Sequence, residues 1–159
     1  MKITVICVGK LKEEYLKSAV LEYEKRLSRY ADIKTVLIND EKAPENLSPA
    51  EEEAVREKEG ERILKALKGG EFVILTDISG SKLSSLEFSE FISKKAVDGT
   101  GSFAFVIGGS LGVSDNVRAR ADFRLSFSDM TFPHQLMRVI LLEQVYRAFR
   151  IINNEPYHK

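Results

Sequence analysis

With a single cysteine in 159 residues, the chain has neither a disulfide framework nor a thiolate metal site to organise it. Cys7 lies in an apolar, strand-like run and reads as a buried structural thiol. Histidine is almost as scarce. His134 and His158 stand far apart, with no cysteine or carboxylate cluster at ligand spacing, so no metal site is expected. Net charge is absent too: 24 Lys and Arg balance 24 Asp and Glu, which excludes a polyanion held by overall charge. No apolar run approaches the roughly 18 residues of a membrane span. Met1–Val8 passes directly into a charged helical pattern, leaving no room for a signal segment. These absences predict a cytoplasmic chain with no membrane association. Internal repeats, linkers and low-complexity segments are also missing, and 159 residues suit one domain with a proper core.

What is present alternates between two periods. Ile3–Val8 is β-branched and nearly continuous in hydrophobicity, as a parallel strand covered on both faces should be. Leu16, Val20, Tyr23, Leu27 and Tyr30 then recur at helical spacing, and 33–38 returns to a strand pattern, giving a βαβ unit. Ser48-Pro49-Ala50-Glu51 starts a second helix with a cap and a first-turn proline. That helix is rich in glutamate and is expected to be a solvated face without chemistry. A third strand over 72–77 ends in the turn Ser79-Gly80-Ser81, and Ser84-Ser85-Leu86-Glu87 offers a capping box for the next helix. A fourth strand, 103–107, runs into Gly108-Gly109-Ser110-Leu111-Gly112, and Ser114 or Asp115 caps a short helix. The alternating run Phe123–Phe127 is a fifth strand. The pattern predicts one α/β domain over 1–159, a mostly parallel sheet with helices on both faces.

Three strand ends converge if that sheet is parallel, those after Asp77, Gly109 and Ser128, and ligands of open α/β sheets gather at such ends. One pocket lined by the three loops is therefore the leading site. Gly108-Gly109 with Gly112 is not a Walker loop, since no Lys-Ser/Thr follows, and it lacks the first glycine of the dinucleotide fingerprint. No G-x-S-x-G elbow is visible either. The segment Ser126–Arg138 joins the fifth strand to the last helix. Thr131 can cap that helix, Pro133 fits its first turn, and Phe127, Met130 and Phe132 can enclose a flat ligand. By pattern alone the segment is a loop that buries its own aromatics.

The last helix, 136–152, is apolar on nearly all sides, with a polar strip at Glu143, Arg147 and Arg150. One sheet face cannot cover it, so a second copy of the chain is expected to, in a two-fold dimer. Arg147 then lies near the seam, unless it is solvated or paired with Glu143. The tail Tyr157-His158-Lys159 combines a ring, an imidazole and an ammonium, a composition suited to RNA. Residues from Arg118 onward carry seven Lys and Arg against four Asp and Glu, a net of 7 − 4 = +3, so a polyanion should meet this third of the chain.

Taken together, residues 105–112, 125–138 and 143–148 with Pro156-Tyr157-His158 resemble the RlmH type of SPOUT methyltransferase, which acts on N3 of a pseudouridine in 23S rRNA. The likeness runs the whole length, including Val8-Gly9-Lys10 and Lys58-Glu59-Gly60-Glu61. It implies a homodimer with a C-terminal trefoil knot, where periodicity alone gives an unknotted doubly wound sheet. It also implies S-adenosylmethionine held by Thr76, Gly108, Phe127, Ser128, Asp129, Met130, Thr131 and Phe132. The family pattern has Leu where this chain has Thr76, which puts side-chain packing on the adenine in doubt.

The substrate so implied is 23S rRNA, in the assembled ribosome, contacted by Tyr157, His158 and Lys159. The imide N3 carries a proton, so His158 of the partner subunit is a candidate base, and Arg147 could instead stabilise the deprotonated imide. Two rival readings remain. One is a catalytically silent ribosome-associated dimer of the same fold, for which Thr76 is the hint. The other is a small-molecule nucleotide enzyme resting on Gly108-Gly109.

Overall fold

The computed structural model describes residues 1–158 of the chain. In chain order these form β1 (Lys2–Val8), α1 (Glu14–Leu27), β2 (Asp32–Ile38), α2 (Pro49–Ala66), β3 (Phe72–Lys82), α3 (Ser85–Val97), β4 (Ser102–Ile107), α4 (Asp115–Arg120), β5 (Phe123–Ser126) and α5 (His134–Ile152). The five strands make one sheet in the order β2-β1-β4-β3-β5, with every pairing parallel. β4 is apolar along most of its length and sits at the centre, with Phe103 through Ile107 all buried. That is what a strand covered on both faces requires.

Each sheet face carries its own core. On one, α1, α3 and α5 cover Ile3, Val5, Ile74, Phe103 and Phe105 with Val20, Leu27, Phe88, Ile92, Leu141 and Val145. On the other, Ile63 of α2 and Val117 of α4 pack on Ile6, Val8, Val73, Leu75 and Val106. The predicted capping boxes form at both helix starts. The Ser48 hydroxyl accepts from Glu51 N–H at 3.2 Å while the Glu51 carboxylate accepts from Ser48 N–H at 2.7 Å. Ser84 and Glu87 repeat the same pair of bonds at the same distances.

Four local expectations change. The third strand does not stop at 77. It pairs with β5 as far as Thr76↔Leu125, bulges out, and resumes with Ser81↔Leu125 and Lys82↔Ser126. The turn signal is real within the bulge, where the Asp77 carboxylate accepts from Ser79 N–H at 3.0 Å, but the strand continues beyond it. The last helix has Pro133 at the N-cap, no side-chain cap and His134 as its first residue, so Thr131 does not cap it. Ser114 holds the N-cap position of α4, likewise with no side-chain cap bond. Finally, α5 is covered more fully by its own chain than one sheet face would allow, because it lies against both α1 and α3. Leu141, Leu142, Val145, Tyr146, Ala148 and Phe149 are buried and Val139 packs against the same core, leaving Leu136 exposed and Ile140 half-buried on the outer side.

Candidate functional site at the strand ends

A parallel sheet brings the ends of β3, β4 and β5 to one edge, and a cavity of about 230 Å³ opens there. Its walls include Thr76 and Asp77 after β3, Gly108, Gly109 and Gly112 after β4, and Phe127, Ser128, Met130, Thr131 and Phe132 after β5. His134 and Met137 of α5 close it. Thr76, Gly108 and five of the six positions from Phe127 to Phe132 thus meet at one place. Asp129 does not line the cavity; its carboxylate pairs with Lys82 instead.

The glycines have a steric reason. A Cβ on Gly108 would stand 2.6 Å from Val113 Cγ1 and 3.2 Å from the Gly112 carbonyl oxygen, and Gly112 itself takes φ +83°. A side chain is thereby excluded at Gly108, which lines the cavity with backbone only. Thr76 keeps its hydroxyl occupied, donating to the Val106 carbonyl at 3.1 Å.

Charge within the cavity wall is confined to Asp77 and Arg118, with His134 as the third titratable group. Burial pulls the Asp77 carboxyl upward, but the Ser79 hydrogen bonds and the Arg118 and Arg124 guanidiniums outweigh it and hold the group below its usual range. Each guanidinium lies 3.5 Å from Asp77 Oδ2, which makes no hydrogen bond. His134 is pushed below the ordinary histidine value by burial first, then by Arg138 and Lys12, with Asp40 opposing. It is therefore held neutral near pH 7.

The tail is ordered against its own helix and does not reach the cavity. Tyr157 packs edge-on to Tyr146 at 5.0 Å, lies 4.6 Å beneath the Arg147 guanidinium, and donates to Glu143 at 3.2 Å. Burial first, then Tyr23 and Glu143, push its hydroxyl up to about 12. Arg147 pairs with Glu143 at 2.5 Å, and its Nη1 lies 3.5 Å from His158 Nδ1. The structure therefore gathers Arg147, Tyr157 and His158 into one group. Lys159 lies outside the described residues. Ten residues separate Arg147 from Met137 of the cavity wall along α5, about 15 Å at 1.5 Å per residue, so a single chain keeps Arg147 apart from the cavity. A second cavity, of about 330 Å³, shares Leu125, Phe127 and Phe132 with the first and extends along α5 to Gln144.

Some residues went unforeseen. Arg138 is 2% exposed and donates to the Val8 carbonyl at 3.0 Å and to the Gly9 carbonyl. Glu59, expected to be solvated, is buried; it accepts from Glu41 N–H at 3.0 Å. Burial, with Asp40 and Glu41 nearby, raises its pKa. Neither carried a signal, because a charge on a helix reads as surface until the packing around it is known. His134 did carry one, its place at a helix start beside a predicted cofactor loop. Among the described residues no group of three or more His, Cys, Asp or Glu could hold a metal, and no helix is long and apolar enough to cross a membrane.

Comparison with known proteins agrees with this geometry. Two solved structures share the fold over nearly the whole chain. One is described as a probable methylase family protein from Haemophilus influenzae Rd KW20, with TM-score 0.56 and 14% identity, covering 99% of this chain and 70% of that one. The other is a tRNA (m1G37) methyltransferase from Aquifex aeolicus, with TM-score 0.55 and 15% identity, covering 100% and 74%. Closer in sequence are proteins named Ribosomal RNA large subunit methyltransferase H. The one from Carboxydothermus hydrogenoformans is 59% identical and that from Alkaliphilus oremlandii 58% identical, each over 159 residues and the full length of both chains. The family described as Predicted SPOUT methyltransferase matches residues 1–158, and the chain belongs to that family.

Proposed function

We propose that this chain, as one domain, transfers a methyl group from S-adenosylmethionine to N3 of a pseudouridine in 23S rRNA of the large ribosomal subunit. The observation that carries the reading is the cavity at the three strand ends, together with full-length relatives named for methylation of large-subunit ribosomal RNA. The cofactor fits the residues present. Ile107, Phe127 and Phe132 give apolar walls for an adenine, and the side-chain-free Gly108 wall lets ring edges meet backbone N–H and carbonyl groups. Thr76, Gly108 and 127–132 would hold it, with Asp129 acting on the loop through Lys82. Bound there, S-adenosylmethionine supplies an electrophilic methyl on a sulfonium.

The remaining work falls to positioning and to the imide proton. None of Arg147, Tyr157 and His158 lines the cavity of its own chain, so they are assigned to the cavity of the partner subunit in a homodimer. The outer side of α5, with Leu136 and Ile140, is the surface assigned to the contact. In this arrangement Arg147 stabilises the deprotonated imide electrostatically, Tyr157 stacks on a base, and His158 is the candidate proton acceptor. Lys159 would add a cation for RNA. The trefoil knot belongs to the same proposal. Its support is a chain that steps over β3 between β4 and β5, after which α5 returns to the opposite sheet face. The cytoplasm follows as the compartment, since that is where ribosomes are assembled.

Full-length protein incubated with ribosomes from cells lacking the gene and with methyl-labelled donor should place label in 23S rRNA. Protein that binds the ribosome but neither binds donor nor transfers label would establish the silent dimer instead. If His158→Ala keeps full methylation with an unchanged pH profile, the proton-acceptor role is removed from it.

A further inference from the structure

The loops after β3, β4 and β5 build the cavity, but the loop after β1 reaches the same edge of the sheet and is left without a task. It runs from Gly9 to Glu13 and is fixed unusually well for a surface connection. Gly9 takes φ +80° and its N–H donates to the Ile38 carbonyl at 2.8 Å. Arg138 reaches up from α5 to the carbonyls of Val8 and Gly9, and Lys12 N–H donates to Gln135 Oε1 at 2.9 Å. The loop is thus tied to the first two turns of α5, the turns that supply His134 and Met137 to the cavity wall.

Its electrostatics are as distinctive. Lys10 and Lys12 are exposed. Among the described residues, no carboxylate lies within 4 Å of either ammonium or of the Arg138 guanidinium. Buried charges are ordinarily paired. Arg138 instead meets only carbonyl oxygens, its Nε has no partner, and its field acts on both His134 and Cys7. The first turn of α5 adds its own partial positive charge. Asp40 faces His134 across Gly9 and tempers this potential without pairing with any of the three cations.

We propose that Lys10 and Lys12 form a phosphate-binding rim for the substrate RNA, held in register with the methyl-transfer cavity by Arg138 and Gln135. The proposal rests on the rRNA methyltransferase reading and deepens it. A chain with no net charge cannot gather a polyanion by its overall field, so RNA contacts must be local. A lysine ammonium is a point charge on a flexible stem, suited to a phosphodiester oxygen and indifferent to sequence. Fixing two of them on a loop bonded to the cavity wall sets the distance between the backbone of the RNA and the base presented for methylation.

The test uses the full chain with Lys10→Gln and Lys12→Gln together, and ribosomes from cells lacking the gene. Binding is measured between about 50 and 200 mM salt. The double variant should bind on the order of tenfold more weakly at about 0.1 M salt, and the slope of log K against log salt should shrink by about 1.5 to 2. Affinity for S-adenosylmethionine and thermal midpoint should match wild type. Wild-type affinity and wild-type salt slope in the double variant overturn the rim alone. Wild-type protein that binds no ribosomes overturns the rim together with the reading beneath it.

Discussion

At the scale of single residues, burial sets the charge state of His134 and Cys7. His134 is held neutral by its surroundings, so its folded pKa lies below that of the unfolded chain. The sign follows from linkage: the neutral ring contributes stability above the unfolded value near 6.5, and this is lost as pH falls through the lower folded value. His134→Gln should therefore flatten the acid side of the stability curve below about pH 6.5, measured by denaturant unfolding at several pH values. An unaltered acid limb would show that His134 does not titrate in this way. Cys7 is pushed up to about 11 by burial, with Arg138 opposing, so it should resist thiol reagents at neutral pH until the protein unfolds.

Arg147 gives the sharpest residue-level prediction. Arg147→Ala should lower the methylation rate by about 100-fold or more, the usual scale for losing one preorganised electrostatic contact. Donor affinity measured by calorimetry should stay unchanged, because the donor is assigned to Thr76, Gly108 and 127–132 and Arg147 to the substrate imide. A rate close to wild type would remove it from the mechanism. Thr76, Gly108 and the 127–132 loop were legible as neighbours because the strand pattern alone predicts which loops share an edge. Arg138 and Glu59 were not, since nothing in a helical charge pattern says which member faces inward.

Between residues and the whole molecule stand the elements, where hydrophobic pattern and helix caps mark the structure more faithfully than turn residues do. The strands, α1 and α3 announce themselves by hydrophobic pattern and α2 by its start signal, and both capping boxes form as written in Ser48-Pro49-Ala50-Glu51 and Ser84-Ser85-Leu86-Glu87. The Ser79-Gly80-Ser81 signal misled about the end of β3, because turn residues can bulge out of a strand that then resumes pairing. Gly80 explains why the bulge tolerates no side chain: a Cβ there would stand 2.6 Å from the Arg124 carbonyl oxygen. Gly80→Ala should cost about 1–3 kcal/mol in equilibrium unfolding, the scale of forced backbone shifts. A cost within error of zero would mean that the β3–β5 register gives way easily. Ser84→Ala removes a cap and should cost about 1 kcal/mol by the same measurement.

For the molecule as a whole, the cavity at the strand ends is lined by one chain, and the Arg147–Tyr157–His158 group of that chain is not part of its lining. The proposed two-fold dimer would bring the two together by giving each cavity the tail of the other chain. The sequence hinted at this through an over-apolar last helix, but overstated the exposed area. It could not say that α5 lies against two neighbouring helices of its own chain as well as the sheet. Ile140→Lys on the outer side of α5 should shift the dimer toward monomer in sedimentation and abolish methylation while leaving the fold intact by circular dichroism. A stable, active dimer in that variant would place the interface elsewhere.

The proposed product is a methyl group on ribosomal RNA, which mass spectrometry of 23S rRNA from cells with and without the gene detects. An N3-methylated pseudouridine should be present in the first and missing from the second, restored by the wild-type gene and not by the Arg147→Ala variant. A methylpseudouridine that persists at full level in cells lacking the gene would contradict the proposal.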